Sequence, residues 1–352
     1  MNSLRLWLLT CGAGWLLGAA ACTKSDTSSA AVPPPDPTRF TNPLLASGPD
    51  PWVYEKDGFY YYMHTTGGDL RLWKTAKMSE LRTAPSKVIW TPAASGSASR
   101  DVWAPEIHFL DGKWYVYFTA GPGDLSQQRT WVLENASADP TTGTWTEKGR
   151  IRNPNEDFWA IDGTVLTQGG KNYFLWSGHS GTGDNEQRLY ISEMSNPWTL
   201  TGPRVELSRP TLAWEQAGQP DVNEGPEILQ RNGKTFLVYS ASHCSTDEYA
   251  LGLLTATATA DPLLPASWTK TATPVFVKDP ADRAYGPGHN GFFKSKDGTQ
   301  DWILYHANPG PGQDCRDNRS PRMQPFTWNA DGSPNFGDPA PLNTPLPKPS
   351  GE

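Results

Sequence analysis

One spacing constrains this chain more than any other. An acidic residue, or a residue standing in its place, opens an apolar run, and eight residues later comes the glycine of a tight turn: Asp50 to Gly58, Ala104 to Gly112, Asp162 to Gly170, Gly225 to Gly233 and Asn290 to Gly298. The turn dipeptides are Asp57-Gly58, Asp111-Gly112, Gly169-Gly170, Asn232-Gly233 and Asp297-Gly298, which supply the positive φ that two-residue type I′ hairpins need. Each is followed by a strongly β-forming strand such as Phe59-Tyr60-Tyr61-Tyr62-Met63 or Trp114-Tyr115-Val116-Tyr117-Phe118. These strands are apolar nearly throughout, as expected where both faces are covered. A further strand follows each hairpin, and the turn glycines lie roughly 54 to 65 residues apart, room for the four strands of a propeller blade. Five such units predict an all-β, five-bladed β-propeller. A β-sandwich of similar length would not need the turn to recur at one phase.

Residues 1–22 read as targeting sequence, with Arg5 at the start, an apolar stretch from Leu6 to about Ala21, and small residues before Cys22. The segment resembles a bacterial lipoprotein signal, which implies a lipidated Cys22 and a membrane link through that lipid alone. An ordinary secretory signal is the other reading, and both export the protein. Residues 23–39 are Ser/Thr/Pro-rich and predict an extended tether, leaving 40–352 for the propeller. Cys244 and Cys315 are the two cysteines of that body, and in an exported protein they predict one disulfide. His243 beside Cys244 lacks a second ligand pair at zinc spacing. The net charge of −7 argues against nucleic acid as a partner; a neutral substrate fits better.

In a propeller the innermost strands line a central channel, so their starts converge. One set of starts is Asp50, Ala104, Asp162, Gly225 and Asn290; the set one residue earlier is Pro49, Trp103, Ile161, Glu224 and His289. Asp50, Asp162 and Glu224 therefore bring three carboxylates from three blades to one rim. Carboxylates sharing a poorly solvated pocket raise the pKa of at least one of them, so such a site holds an acid and a base together. An Asp at a strand start also serves as a turn or cap, and Asp221 or Glu227 could be the working acid on composition alone. Phase singles out Glu224. Glu106 and Glu227 share a later phase and read as repeated structural residues.

At these residues the chain resembles glycoside hydrolase family 43, from about Asn42 to Gly337. The resemblance implies that Asp50, in Gly48-Pro49-Asp50-Pro51-Trp52, is the catalytic base. It implies that Glu224, in Asn223-Glu224-Gly225-Pro226, is the general acid, and that Asp162, in Ala160-Ile161-Asp162-Gly163, orients and tunes that acid. Inversion at the anomeric carbon would follow, with acid and base about 6.5–9.5 Å apart. The resemblance also implies that His289 is a channel histidine that binds near substrate and helps hold a hydrated cation, often calcium. No cofactor is required for the chemistry itself. Arg319 falls where relatives place an arginine facing substrate and base, with Arg322, then Arg316, as alternatives. Trp103 and Trp159, flat rings beside the acids, are the candidates for the sugar face. Several linked stretches, Tyr285-Gly286-Pro287-Gly288-His289-Asn290 among them, look most like the branch of exo-acting α-1,5-L-arabinofuranosidases. The implied partner is plant cell-wall arabinan or arabinose-decorated oligosaccharide, met by an exported monomer. β-Xylosidase and endo-arabinanase remain open within the family, and a non-catalytic glycan-binding propeller outside it. Insertions at 121–128, 153–157, 209–221 and 279–285 are expected to wall the rim into a pocket for one terminal sugar.

Overall fold

Asp-Gly, Asn-Gly and Gly-Gly tolerate left-handed backbone, and four of the five hairpins use it as expected. In the computed structural model, which describes residues 36–352, Asp57-Gly58, Asp111-Gly112, Gly169-Gly170 and Asn232-Gly233 all have positive φ, from 48° to 81°. Their flanking residues pair directly, Lys56 with Phe59, Leu110 with Lys113, Gln168 with Lys171 and Arg231 with Lys234. The fifth hairpin departs from the prediction. Lys294 pairs with Asp301, leaving 295–300 as a longer loop in which only Gly298 is left-handed. The Asp297 carboxylate accepts from Ser295 Oγ and from the N–H and hydroxyl of Thr299, and this side-chain capping competes with a type I′ turn. The longer loop shifts the fifth unit by one residue relative to the other four.

Apart from one two-stranded pair at the ends of the described residues, the strands form five antiparallel sheets, each built in chain order. Their innermost strands are Trp52–Lys56, Arg100–Leu110, Ala160–Gln168, Asn223–Arg231 and Tyr285–Lys294. The second strands are Phe59–Met63, Lys113–Gly121, Lys171–Gly178, Lys234–Ala241 and Asp301–Asn308. The third sheet gains Val205–Ser208 alongside Arg188–Asn196. Apolar clusters fill all five gaps between neighbouring sheets, which is why the second strands carry apolar residues on both faces. Tyr60 and Tyr62 of the first blade meet Phe293 and Trp302 of the fifth, closing the ring into a five-bladed β-propeller. Trp114, Trp176 and Trp302 are fully buried; at about 1.5–3 kcal/mol for each large apolar side chain, these layers dominate cohesion.

The ends of the ring are tied as well. Arg39–Thr41 pairs with Pro345–Pro347, and the Asn42 side chain donates to the Met323 carbonyl while accepting from its N–H. Paired structure thus starts at Arg39, one residue ahead of the expected boundary at 40. The export signal, Cys22 and residues 23–35 of the tether lie outside the described residues. Cys244 and Cys315 form the predicted disulfide, which joins a connection of the fourth blade to one of the fifth.

Candidate active site

At one shared phase each innermost strand enters the channel in left-handed backbone: Asp50 (φ 55°), Ala104 (42°), Asp162 (54°), Gly225 (51°) and His289 (43°). In the second to fifth blades the register shifts there, as at a β-bulge. The fifth equivalent is therefore His289 and not Asn290, a correction that follows from the longer loop at 295–300. His289 shares the phase of Asp50 and Asp162; Gly288 is the true counterpart of Glu224.

A left-handed L-residue costs about 1 kcal/mol, and a belt of hydrogen bonds around the axis offsets it. The N–H of Ala104 donates to Thr65 Oγ1 (2.7 Å), that of Asp162 to Thr119 Oγ1 (3.3 Å), that of His289 to Ser240 Oγ (2.8 Å) and that of Asp50 to His306 Nδ1 (3.0 Å). Thr119, Ser240 and His306 stand near the end of the preceding blade's second strand, and Thr65 lies two residues past the end of the first blade's. At Gly225 the pattern changes, for its N–H donates to Asp162 Oδ2 at 3.0 Å, while Ser177 turns to the Asn223 carbonyl. A site carboxylate thereby becomes part of the belt.

The buried Asp50 carboxylate accepts from Arg319 Nη1 (2.8 Å) and from Thr65 Oγ1 (2.6 Å), and His289 Nδ1 and His306 Nδ1 each lie 3.5 Å from its Oδ1. Burial raises its pKa, but Arg319, then the two histidines and Thr65, overcome this and hold it well below the usual carboxylate range. Burial also pushes both imidazoles toward their neutral form, so at neutral pH the Arg319 charge and the Thr65 hydroxyl carry the effect. Asp50 stays ionised.

Glu224 receives the opposite treatment. It stands across from Ser240, one residue before the bulge, and accepts from the Tyr249 hydroxyl at 2.9 Å. Desolvation pushes it up to about 7; Tyr249 and Arg319 pull down and the Asp50 charge adds to the rise. Asp162 is pushed well up too, first by burial and then by the charges of Glu224 and Asp50, against the Gly225 N–H. Buried this deeply, Asp162 shares its charge with Glu224, and the pair titrates as one unit. One rim therefore holds a carboxylate that can accept a proton and a carboxyl that can donate one near neutral pH.

His289 and Arg319 join this cluster, and a Cβ on Gly225 would lie 3.2 Å from His289 Nδ1. Arg322 does not; it is buried against the carbonyls of Asp282, Arg283 and Asn308. Trp103 is half-buried beside Ala104 and pairs with Thr119. Trp159 is engaged through other partners, its ring stacked on His179 with centroids 4.0 Å apart and its indole N–H donating to the Leu125 carbonyl. Sequence reasoning missed Thr65, His306 and Tyr249. A signal existed for His306: Phe118-Thr119, Trp176-Ser177, Tyr239-Ser240 and Tyr305-His306 place a polar residue after the same aromatic position. Glu106 and Glu227, expected to be structural, are buried and hydrogen-bonded together, with His108 Nε2 2.8 Å from Glu106. A cavity of about 570 Å³ at the hairpin end of the channel, lined by Trp52, Tyr54, Phe109, Phe292 and Trp328 among others, contains none of the three rim acids.

His289 Nδ1 lies 3.5 Å from Asp50 Oδ1 and the Asp50 carboxylate is already held by Arg319 and Thr65, so a hydrated cation at His289 would take its oxygen ligands from water. Among the described residues the one group of three His, Cys, Asp or Glu ligand atoms is His243, Cys244 and Cys315, and its two sulfurs are bonded to each other.

Residues 40–334 match the model of the glycosyl hydrolases family 43. The chain is 45% identical over 334 residues to an extracellular exo-α-(1→5)-L-arabinofuranosidase of Streptomyces avermitilis, covering 92% of this chain and 69% of that protein. It is 42% identical over 294 residues to the protein of the same name from Streptomyces chartreusis, covering 82% and 88%. Among solved structures, an α-L-arabinofuranosidase from Lactobacillus brevis superposes with a TM-score of 0.82 at 38% identity, covering 87% of this chain and 98% of that one.

Proposed function

The chain belongs to glycosyl hydrolases family 43, and from that premise we propose that it is an exported, inverting exo-α-L-arabinofuranosidase. It releases terminal L-arabinose from α-1,5-linked arabinan or arabino-oligosaccharides. The observation that carries this reading is the opposite treatment of two carboxyls on one rim, Asp50 held ionised and Glu224 held protonated up to about 7. Asp50 takes a proton from water as the water oxygen bonds to the anomeric carbon. The glycosidic bond breaks from the opposite face, and Glu224 gives its proton to the leaving oxygen. Asp162 binds the Gly225 N–H, which fixes the backbone beside the acid, and shares its proton load. Arg319 keeps Asp50 ionised. Exchange with solvent then resets both groups, and no cofactor enters.

The exo-acting relatives support the substrate, and rim loops walling the three acids into a pocket would suit a single terminal furanose, with Trp103 beside it. The relatives named extracellular, together with the apolar N-terminal segment, support export; lipidation at Cys22 would tether the enzyme to the cell envelope. A time course on linear arabinan tests the reading. Arabinose alone from the earliest points is expected, and early arabinobiose or longer fragments with a rapid fall in viscosity would overturn it.

A further inference from the structure

The partners of the acid and the base sit on two connections that the disulfide ties together. Tyr249, which donates to Glu224, ends the connection after Lys234–Ala241, and Arg319, which donates to Asp50, ends the connection before Ser320–Trp328. Cys244 and Cys315 lie within these same connections, with Cα atoms 5.1 Å apart. Arg319 is held by more than Asp50. Its Nη2 donates to the carbonyl of Cys315 itself at 3.0 Å, and its Nε to the Arg316 carbonyl at 3.3 Å. Every nitrogen of the guanidinium is thus engaged, two of them by the turn that starts at the bridged cysteine. On the other side, successive turns lead from the bridge to the tyrosine: the Thr246 N–H donates to the His243 carbonyl and the Tyr249 N–H to that of Thr246. Asp247 adds a polar strap, its carboxylate accepting from the Gly312 N–H at 2.9 Å.

We propose that the Cys244–Cys315 disulfide is a positioning element of the active site, holding the Arg319 turn and the Tyr249 turn at one spacing so that base and acid both keep their partners. The inference rests on the roles assigned to Asp50 and Glu224 in the proposed function. The connection from 309 to 319 contains no regular secondary structure, and Arg316 within it is 79% exposed. On an untied segment of this kind an arginine populates many rotamers, and few of them reach Asp50. The groups facing Asp50 are Arg319, His289, His306 and Thr65, with His64, Glu224, Asp162 and the phenols of Tyr62 and Tyr249 around them. Arg319 is the one permanent positive charge among them. Misplacing it weakens the hold on the Asp50 proton equilibrium, which a bridge that only stabilised the fold would leave alone.

The test is a double-mutant cycle between Cys244→Ser/Cys315→Ser and Arg319→Ala, with kcat/KM on an aryl α-L-arabinofuranoside followed from about pH 3 to 8. The expected result is a folded variant by near-ultraviolet circular dichroism, with kcat/KM reduced about five- to tenfold and the acid limb moved to higher pH. In the Arg319→Ala background the serine substitutions should move that limb little further. A folded serine variant with the wild-type acid limb, or fully additive effects, would overturn the inference. Should the serine variant not fold, the wild-type protein reduced with a phosphine, its thiols counted, is read by the same criteria. The Asp50 carboxyl can also be titrated directly by NMR of carbon-labelled aspartate. A wild type inactive on arabinofuranosides then refutes the assigned substrate, while the titration still decides the positioning role.

Discussion

Replacing Glu224 by Gln should make the protein more stable and nearly inactive, with the gain in stability confined to neutral and alkaline pH. The carboxyl is carried from an ordinary 4.5 to about 7 in the folded state. At about 1.4 kcal/mol per pH unit, ionising it in place costs up to about 3 kcal/mol relative to the unfolded chain. The folded state binds the proton more tightly, so this penalty is absent below about pH 4.5, grows as the pH rises to about 7, and is constant above. Because Asp162 shares the proton and the pocket admits some solvent, about 1–2 kcal/mol of the ceiling should be recovered. Glutamine is uncharged throughout, and its carbonyl oxygen can still accept from Tyr249. Calorimetry should therefore find Tm raised by about 2–4 °C at pH 8 and unchanged near pH 4. Turnover of arabino-oligosaccharides should fall by about 10²–10⁴, and less for nitrophenyl glycosides, whose leaving group needs no proton. An equal gain at both pH values would point to packing, and no gain at pH 8 would refute the view of Glu224 as a desolvated acid.

Other outcomes follow from the same geometry. The first sugar released, caught by NMR before mutarotation, should have inverted configuration; retention would remove Asp50 from its role as base to a water. Tyr249→Phe removes the hydroxyl that favours the ionised form of Glu224, so the alkaline limb of kcat/KM should move up from about 7, and a downward move would contradict that hydrogen bond. Gly163→Ala would place a Cβ 2.2 Å from Phe174 Cζ in the core and should cost about 1–3 kcal/mol, measured as a lowered denaturation midpoint; an unchanged midpoint would mean that this core yields more than close packing allows.

The sequence by itself determined the five-bladed ring. Asp-Gly, Asn-Gly and Gly-Gly turns and aromatic second strands are local signals, each readable within about ten residues, and their spacing counts the blades. Phase also singled out Asp50, Asp162 and Glu224, because residues at equivalent strand starts converge on an axis whatever the side chains between them. Local signals failed where a loop changed length. Asp297-Gly298 looks like the other turns, yet side-chain capping at 295–300 lengthens the hairpin and moves His289 into the phase assigned to Asn290. What only the tertiary structure decided are contacts between residues far apart in the chain: Arg319 on Asp50, His306 against the Asp50 N–H, Tyr249 on Glu224, Asp162 on Gly225. Composition cannot say which of three nearby arginines turns inward. The proton state of each carboxyl is decided there too, because it depends on how completely water is excluded and which charge remains, and both are properties of the closed ring.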